Sequence, residues 1–159
     1  MTNVLVPHDG SEQADRALSH AMEVFPHARL TLLTVIDPAM GFTGPNAPGT
    51  AEVWYESAQK RAAEWLEAAR ETAEADGMNV ETVVETGRPA RVIIEYAETH
   101  PVDHVVMGSQ GREGVSRLLL GSVAETVVRR SPVPVTVVRC TMPVDERRVG
   151  ETDPSPAKQ

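Results

Sequence analysis

The chain holds one cysteine, Cys140, among 159 residues. An internal disulfide is therefore excluded, and no CxxC pair or Cys/His cluster offers a zinc ion its ligands. One free thiol and no disulfide framework fit a reducing cytoplasm. Long apolar runs are missing as well: nothing approaches the length that spans a bilayer, and Met1-Thr2-Asn3 leads straight into a strand pattern without the basic and apolar regions of a signal peptide. A surplus of positive charge is also lacking. The formal net charge is -8 and the isoelectric point about 5.1, so nucleic acid and anionic membranes would be repelled at long range. Neither is expected as a partner, and any polyanion must be held by local groups. The length suits a single domain with a sizeable core of its own.

What is present is an alternation of strand and helix patterns. Val4–Val6 is a short apolar run; Ala14, Ala17, Leu18, Ala21, Met22 and Phe25 then repeat at helical spacing, and Leu30–Ile36 reads as a second strand. A Gly- and Pro-rich loop spans Asp37–Thr50. A long helix follows, with Ala58, Ala62, Trp65, Leu66, Ala69 and Ala73 on its inner face and a stop at Asp76-Gly77. Asn79–Glu85 reads as the third strand, Pro89 as the first turn of the next helix, and His104–Met107 as the fourth strand. The helix after it would bury Leu120, Val123, Ala124, Val127 and Val128. Pro132–Val138 is a fifth strand whose leading prolines mark a sheet edge. A folded unit over residues 1–142 and a disordered, charged tail over 143–159 are expected. Helices between successive strands imply an α/β fold with a doubly wound, five-stranded parallel sheet covered on both faces, Rossmann-like.

The segment after the fourth strand carries the chemistry. Gly108, Gly111 and Gly121-Ser122 are spaced G-x-x-G, nine residues, G-S, in the order strand, glycine loop, helix start. Parallel α/β proteins present bare backbone N–H groups to a phosphate in this order. Arg112 and Arg117 lie within the loop, and Ser122 with Glu125 has the S-x-x-E spacing of a capping box. The loop thus offers amide donors, a hydroxyl and two cations. Ser122 is expected to cap its helix, a structural role that can coexist with phosphate binding because nearby amides stay free.

These residues resemble the universal stress protein family in its ATP-binding branch, whose G-2x-G-9x-G-(S/T) signature is met at every defined position. Val4-Leu5-Val6-Pro7 and Asp9-Gly10-Ser11 resemble the family's first strand and turn, and the resemblance runs from about Asn3 to Cys140. It implies strand order 3-2-1-4-5, which makes strands one and four neighbours with a crevice at their carboxyl ends. It further implies an ATP site, with AMP or ADP as alternatives and Mg2+ or Mn2+ optional beside the phosphates. Asp9 would grip the ribose and Pro7 and Val35 would line the adenine. The phosphates and sugar would be framed by Met107, Gly108, Ser109, Gln110, Gly111, Arg112, Glu113 and Gly114 on one side and by Gly121, Ser122, Val123 and Ala124 on the other. Arg88 is a further candidate cation. Relatives often carry histidine where this chain has Gln110, so no imidazole beside the phosphates is implied here.

Plainer roles stand beside these: Asp9 as a turn residue before Gly10, Val35 as a core valine, the glycines as makers of a tight loop. The histidines His8, His20, His27, His100 and His104 have no metal spacing and are expected at the surface or at strand ends. No Ser, His and Asp set suggests a catalytic nucleophile, and no catalytic residue or metal ligand is assigned. The functional expectation is a cytoplasmic, homodimeric, nucleotide-responsive regulator of a stress response, pairing through the edge strand Val135–Val138. A slow ATPase or adenylyl-transfer enzyme on the same crevice, and a nucleotide-free interaction module, are the alternatives.

Overall fold

The computed structural model describes residues 1–41, 51–110 and 120–139. Strands β1 (Asn3–Pro7), β2 (Arg29–Ile36), β3 (Asn79–Thr86), β4 (His104–Gly108) and β5 (Val135–Val138) alternate with helices α1 (Glu12–Val24), α2 (Ala51–Ala75), α3 (Pro89–Thr99) and α4 (Ser122–Arg130). The strands form one parallel sheet in the order β3-β2-β1-β4-β5. The doubly wound arrangement follows from the sequence pattern: near-continuous apolar strands need cover on both faces, and each crossover helix supplies part of it.

Alternation along the strands divides the core in two. Val4, Val6, Leu30, Leu32 and Val106 pack with Ala17, Leu18 and Ala21 of α1 and Leu66, Ala69 and Ala73 of α2. On the opposite face, Leu5, Leu33, Val105 and Met107 meet Ile93 of α3 and Ala124 and Val127 of α4. Alanines on α1 and α2 let those helices lie close to the sheet. The stop of α2 is a Schellman motif: Gly77 has φ +82, its N–H donates to Glu74 at 2.9 Å, and the Met78 N–H donates to Ala73 at 3.1 Å. The left-handed conformation is what selects glycine at that point.

Three boundaries differ from the sequence reading. Leu120 and Val128, expected in a buried stripe, are 44% and 46% exposed. The helix starts only at Ser122, so Leu120 precedes it and does not share its phase, and Val128 lies about 100° round from buried Val127. The fifth strand begins at Val135 rather than Pro132. Ahead of it Ser131 closes a small turn, its Oγ donating to the Val133 carbonyl at 2.8 Å and accepting from the Val133 N–H at 3.2 Å. Within the Gly/Pro loop, Pro38–Gly41 forms a 3-10 turn, started by the Asp37 carboxylate accepting from the Ala39 N–H at 2.9 Å. Residues 42–50 of that loop and the expected tail over 143–159 lie outside the described residues.

Candidate functional site

β1 and β4 are adjacent, with Val4 opposite His104 and Leu5 opposite Val105, and the chain leaves them toward opposite faces, β1 into α1 and β4 toward α4. This is the switch point of the sheet, where open α/β proteins form a crevice. The Asp9-Gly10-Ser11 turn stands on one side of it and Gly108-Ser109-Gln110 on the other. Residues a hundred positions apart in sequence are brought together only by the strand order.

The amino-side wall is built around α1. Ser11 caps the helix, its Oγ accepting from the Ala14 N–H at 3.2 Å, and Glu12 and Asp15 in the first turn complement the helix dipole. Asp9 Oδ1 accepts from the Ser11 N–H at 3.0 Å, so the carboxylate does shape its own turn. Its other oxygen, Oδ2, has no hydrogen-bond partner among the described residues, which leaves an acceptor for a ligand hydroxyl. The turn role and a ribose role are compatible, since they use different oxygens.

The carboxyl-side wall is pinned at both ends of the glycine loop. The Ser109 N–H donates to the Val138 carbonyl at 3.0 Å, and the Gly121 N–H returns to the Ser109 carbonyl at 2.7 Å. Close contact favours glycine at both roots. A Cβ on Gly108 would lie 3.1 Å from Gln13 Cβ and 3.3 Å from the Gln13 and Gln110 carbonyl oxygens, and one on Gly121 would lie 3.2 Å from the Ser109 oxygen. Gly111, Arg112, Glu113, Gly114 and Arg117 lie outside the described residues.

The cap of α4 corrects the sequence reading. Gly121, not Ser122, is the N-cap, and as a glycine it has no side chain of its own to cap the helix. Ser122 is already helical, its carbonyl accepting from Thr126 Oγ1 at 2.9 Å, and Glu125 pairs with Arg129 at 2.9 Å instead of closing a box. The return of Gly121 onto Ser109 moves the helix start one residue upstream of the position the S-x-x-E spacing implied. As a result the Ser122, Val123 and Ala124 amides, which have no intrahelical acceptor, form the positive end of the helix dipole without a cap from the N-cap residue's own side chain. Such a terminus has the chemistry of an anion site.

The remaining candidates divide by burial. Met107 is 5% exposed and Ala124 2%, so their side chains serve the core, where Val35 and Val123 also pack in part. Pro7 is half-buried at the end of β1. Arg88 is not brought to the crevice. It stands at the N-cap of α3 and lines a cavity of about 460 Å³ with Asp37, Thr86, Gly87, Val92 and Glu95 at the ends of β2 and β3.

His8 is the residue that sequence reasoning undervalued. It does sit at a strand end, as expected, but is only 4% exposed, with both ring nitrogens in hydrogen bonds. Its position between a strand and the candidate Asp9 was a signal that could have singled it out. His104 is half-buried at the start of β4, Nε2 bonded to Thr136 Oγ1 at 2.7 Å and the ring 4.9 Å from that of Phe25. Desolvation holds its pKa below the ordinary histidine value. Among the described residues no group of three or more His, Cys, Asp or Glu gathers to hold a metal, and no helix is long and apolar enough to cross a membrane.

A parallel α/β protein with an amide-lined crevice at its switch point is the class that fold and site define. The family model described as the universal stress protein family matches residues 1–139. Universal stress protein MJ0531 of Methanocaldococcus jannaschii is 35% identical over 138 residues, 86% of this chain and 81% of that protein. Among solved structures, hypothetical protein MJ0577 superposes with a TM-score of 0.78 at 29% identity, covering 89% of this chain and 97% of its own. A universal stress protein in complex with cAMP superposes at 0.67 with 26% identity, covering 88% and 98%. The chain belongs to the universal stress protein family.

Proposed function

We propose that the chain binds an adenine nucleotide, ATP with AMP or ADP as alternatives, in the crevice between β1 and β4, and acts in the cytoplasm as a nucleotide-responsive regulator of a stress response. One observation carries this reading: on the two sides of the switch point stand an aspartate with one uncommitted carboxylate oxygen and a helix N-terminus whose N-cap is a glycine. The first suits a sugar hydroxyl and the second a phosphate. The relative of similar fold in complex with cAMP supports the same ligand class.

In this reading Asp9 Oδ2 accepts from the ribose, and the Ser122, Val123 and Ala124 amides donate to phosphate oxygens. Pro7 and Val35 flank the base, and the residues from Gly108 to Gly114, with Arg112, contribute to phosphate binding. Charge-assisted hydrogen bonds of this kind are worth about 1.5 to 3 kcal/mol each, so several amides hold a phosphate without a P-loop lysine. The edge strand β5, whose four residues are all half-buried, pairs with its twin in a homodimer, and sedimentation at micromolar concentration should return twice the chain mass.

Mass spectrometry of small molecules released from the purified, denatured protein, followed by titration calorimetry with ATP, tests the binding. Adenine nucleotide in near-stoichiometric amount, or a micromolar dissociation constant, is expected; neither being found would overturn the reading. A second reading, a nucleotide-free interaction module, is favoured by one observation, the steric need for Gly108 and Gly121 irrespective of any ligand. It predicts no ATP binding by the folded protein.

A further inference from the structure

His8 ties four elements together. Its N–H donates to the Leu33 carbonyl of β2 at 2.8 Å, and its own carbonyl accepts from Thr34 Oγ1 at 2.7 Å, a hydroxyl that also accepts from Trp65 Nε1 of α2 at 3.0 Å. The ring reaches the other way: Nε2 lies 2.9 Å from Asp15 Oδ1 on α1, and the Gly10 N–H points to Nδ1 at 3.1 Å. A backbone N–H can only donate, so Nδ1 must present its lone pair, and the ring proton sits on Nε2, donated to Asp15. The two contacts together assign the Nε2–H tautomer. Asp9 is flanked by the two residues this network holds, His8 through its main chain and Gly10 through its amide. Gly10 has φ +78, a conformation open to glycine at little steric cost, so the hydrogen bond to Nδ1 selects it from others equally open to the chain.

We infer that His8 is a positioning residue for nucleotide binding: its Nδ1 lone pair, by holding the Gly10 amide, sets the turn that aims Asp9 Oδ2 into the crevice. The inference rests on the nucleotide reading for its consequence and on the Gly10 amide for its mechanism. It is not a bulk packing role, because it assigns the effect to one ring nitrogen and leaves the Asp15 contact as support for ring orientation.

Two variants separate those atoms. His8→Asn keeps an acceptor close to the place of Nδ1 and gives up Asp15; His8→Gln keeps reach toward Asp15 and gives up the acceptor. Amide hydrogen exchange at Gly10 in the ligand-free protein should be about as slow in His8→Asn as in the parent and several-fold faster in His8→Gln. ATP affinity by calorimetry should fall about three- to tenfold in His8→Gln, the range for one net hydrogen bond, and recover in His8→Asn. Combined with Asp9→Ala, His8→Gln should cause no further loss. Equal Gly10 exchange in parent and both variants overturns the inference, as does a loss that adds fully to that of Asp9→Ala. Should the parent bind no ATP, the nucleotide reading falls by itself, and Gly10 exchange alone decides whether Nδ1 sets the turn.

Discussion

Gly121→Ala is the sharpest test of the crevice. A Cβ there would sit 3.2 Å from the Ser109 oxygen and 3.4 Å from Gln110 Cα, both on the main chain, so neither can swing aside as a side chain would. Relief requires the entrance of α4 to move by a few tenths of an ångström away from the loop root, lengthening the 2.7 Å bond from the Gly121 N–H to Ser109. Overpacking of this kind costs about 1 to 3 kcal/mol, and alanine is also a poorer N-cap than glycine. For a domain of this size each kcal/mol lowers Tm by roughly 3 °C. The same movement displaces the Ser122, Val123 and Ala124 amides. Losing good geometry at one charge-assisted bond of about 1.5 to 3 kcal/mol weakens ATP about ten- to a hundredfold. Calorimetric titration well below the variant's Tm, beside its thermal melt, reads the two effects separately. A variant that melts lower yet binds ATP as tightly as the parent would refute the assignment of these amides to the phosphates.

Leu32→Ala removes a side chain with no exposure at the centre of the sheet and should cost about 2 to 5 kcal/mol by urea denaturation. Ser11→Ala deletes the cap bond to Ala14 and should cost about 1 kcal/mol. Because the Asp9 bond to the Ser11 main chain survives the change, ATP affinity should stay within about twofold on calorimetry, less than the roughly three- to tenfold that one net hydrogen bond is worth. His104 has a folded-state pKa below the ordinary 6.5, so under acid the unfolded chain takes up the proton first. Its contribution to stability is complete above pH 6.5 and is lost as pH falls from there through the folded-state value. Melts of the parent and His104→Gln between pH 7.5 and 5.5 should therefore show a shallower decline in the variant, and parallel declines would contradict the desolvation argument.

Much of the fold was legible in the residues because burial and periodicity are local properties. Leu30–Ile36 had to be a covered strand, and the alanine ridge of α2 had to face a sheet. The glycine loop was legible for the same reason, its spacing being written in one segment. The miss at Ser122 shows where that legibility stops. The S-x-x-E spacing describes a cap that a free helix would adopt, but Gly121 is drawn back onto Ser109 by a contact between two ends of a loop, and the helix start shifts with it. Leu120 lies ahead of the helix start and so outside the phase that its place in the stripe assumed.

The chain's composition and pattern by themselves determined a parallel α/β architecture, the absence of any internal disulfide, and a glycine-bearing turn after the fourth strand. Only the tertiary structure decided what that turn faces. Strand order places β1 beside β4, and the Asp9 turn stands opposite α4 because the two crossovers leave on opposite faces of the sheet. The burial of His8 came from the same source. Its partners Gly10, Asp15, Leu33 and Thr34 belong to a turn, a helix and a neighbouring strand, and no periodicity along one segment encodes a meeting of three.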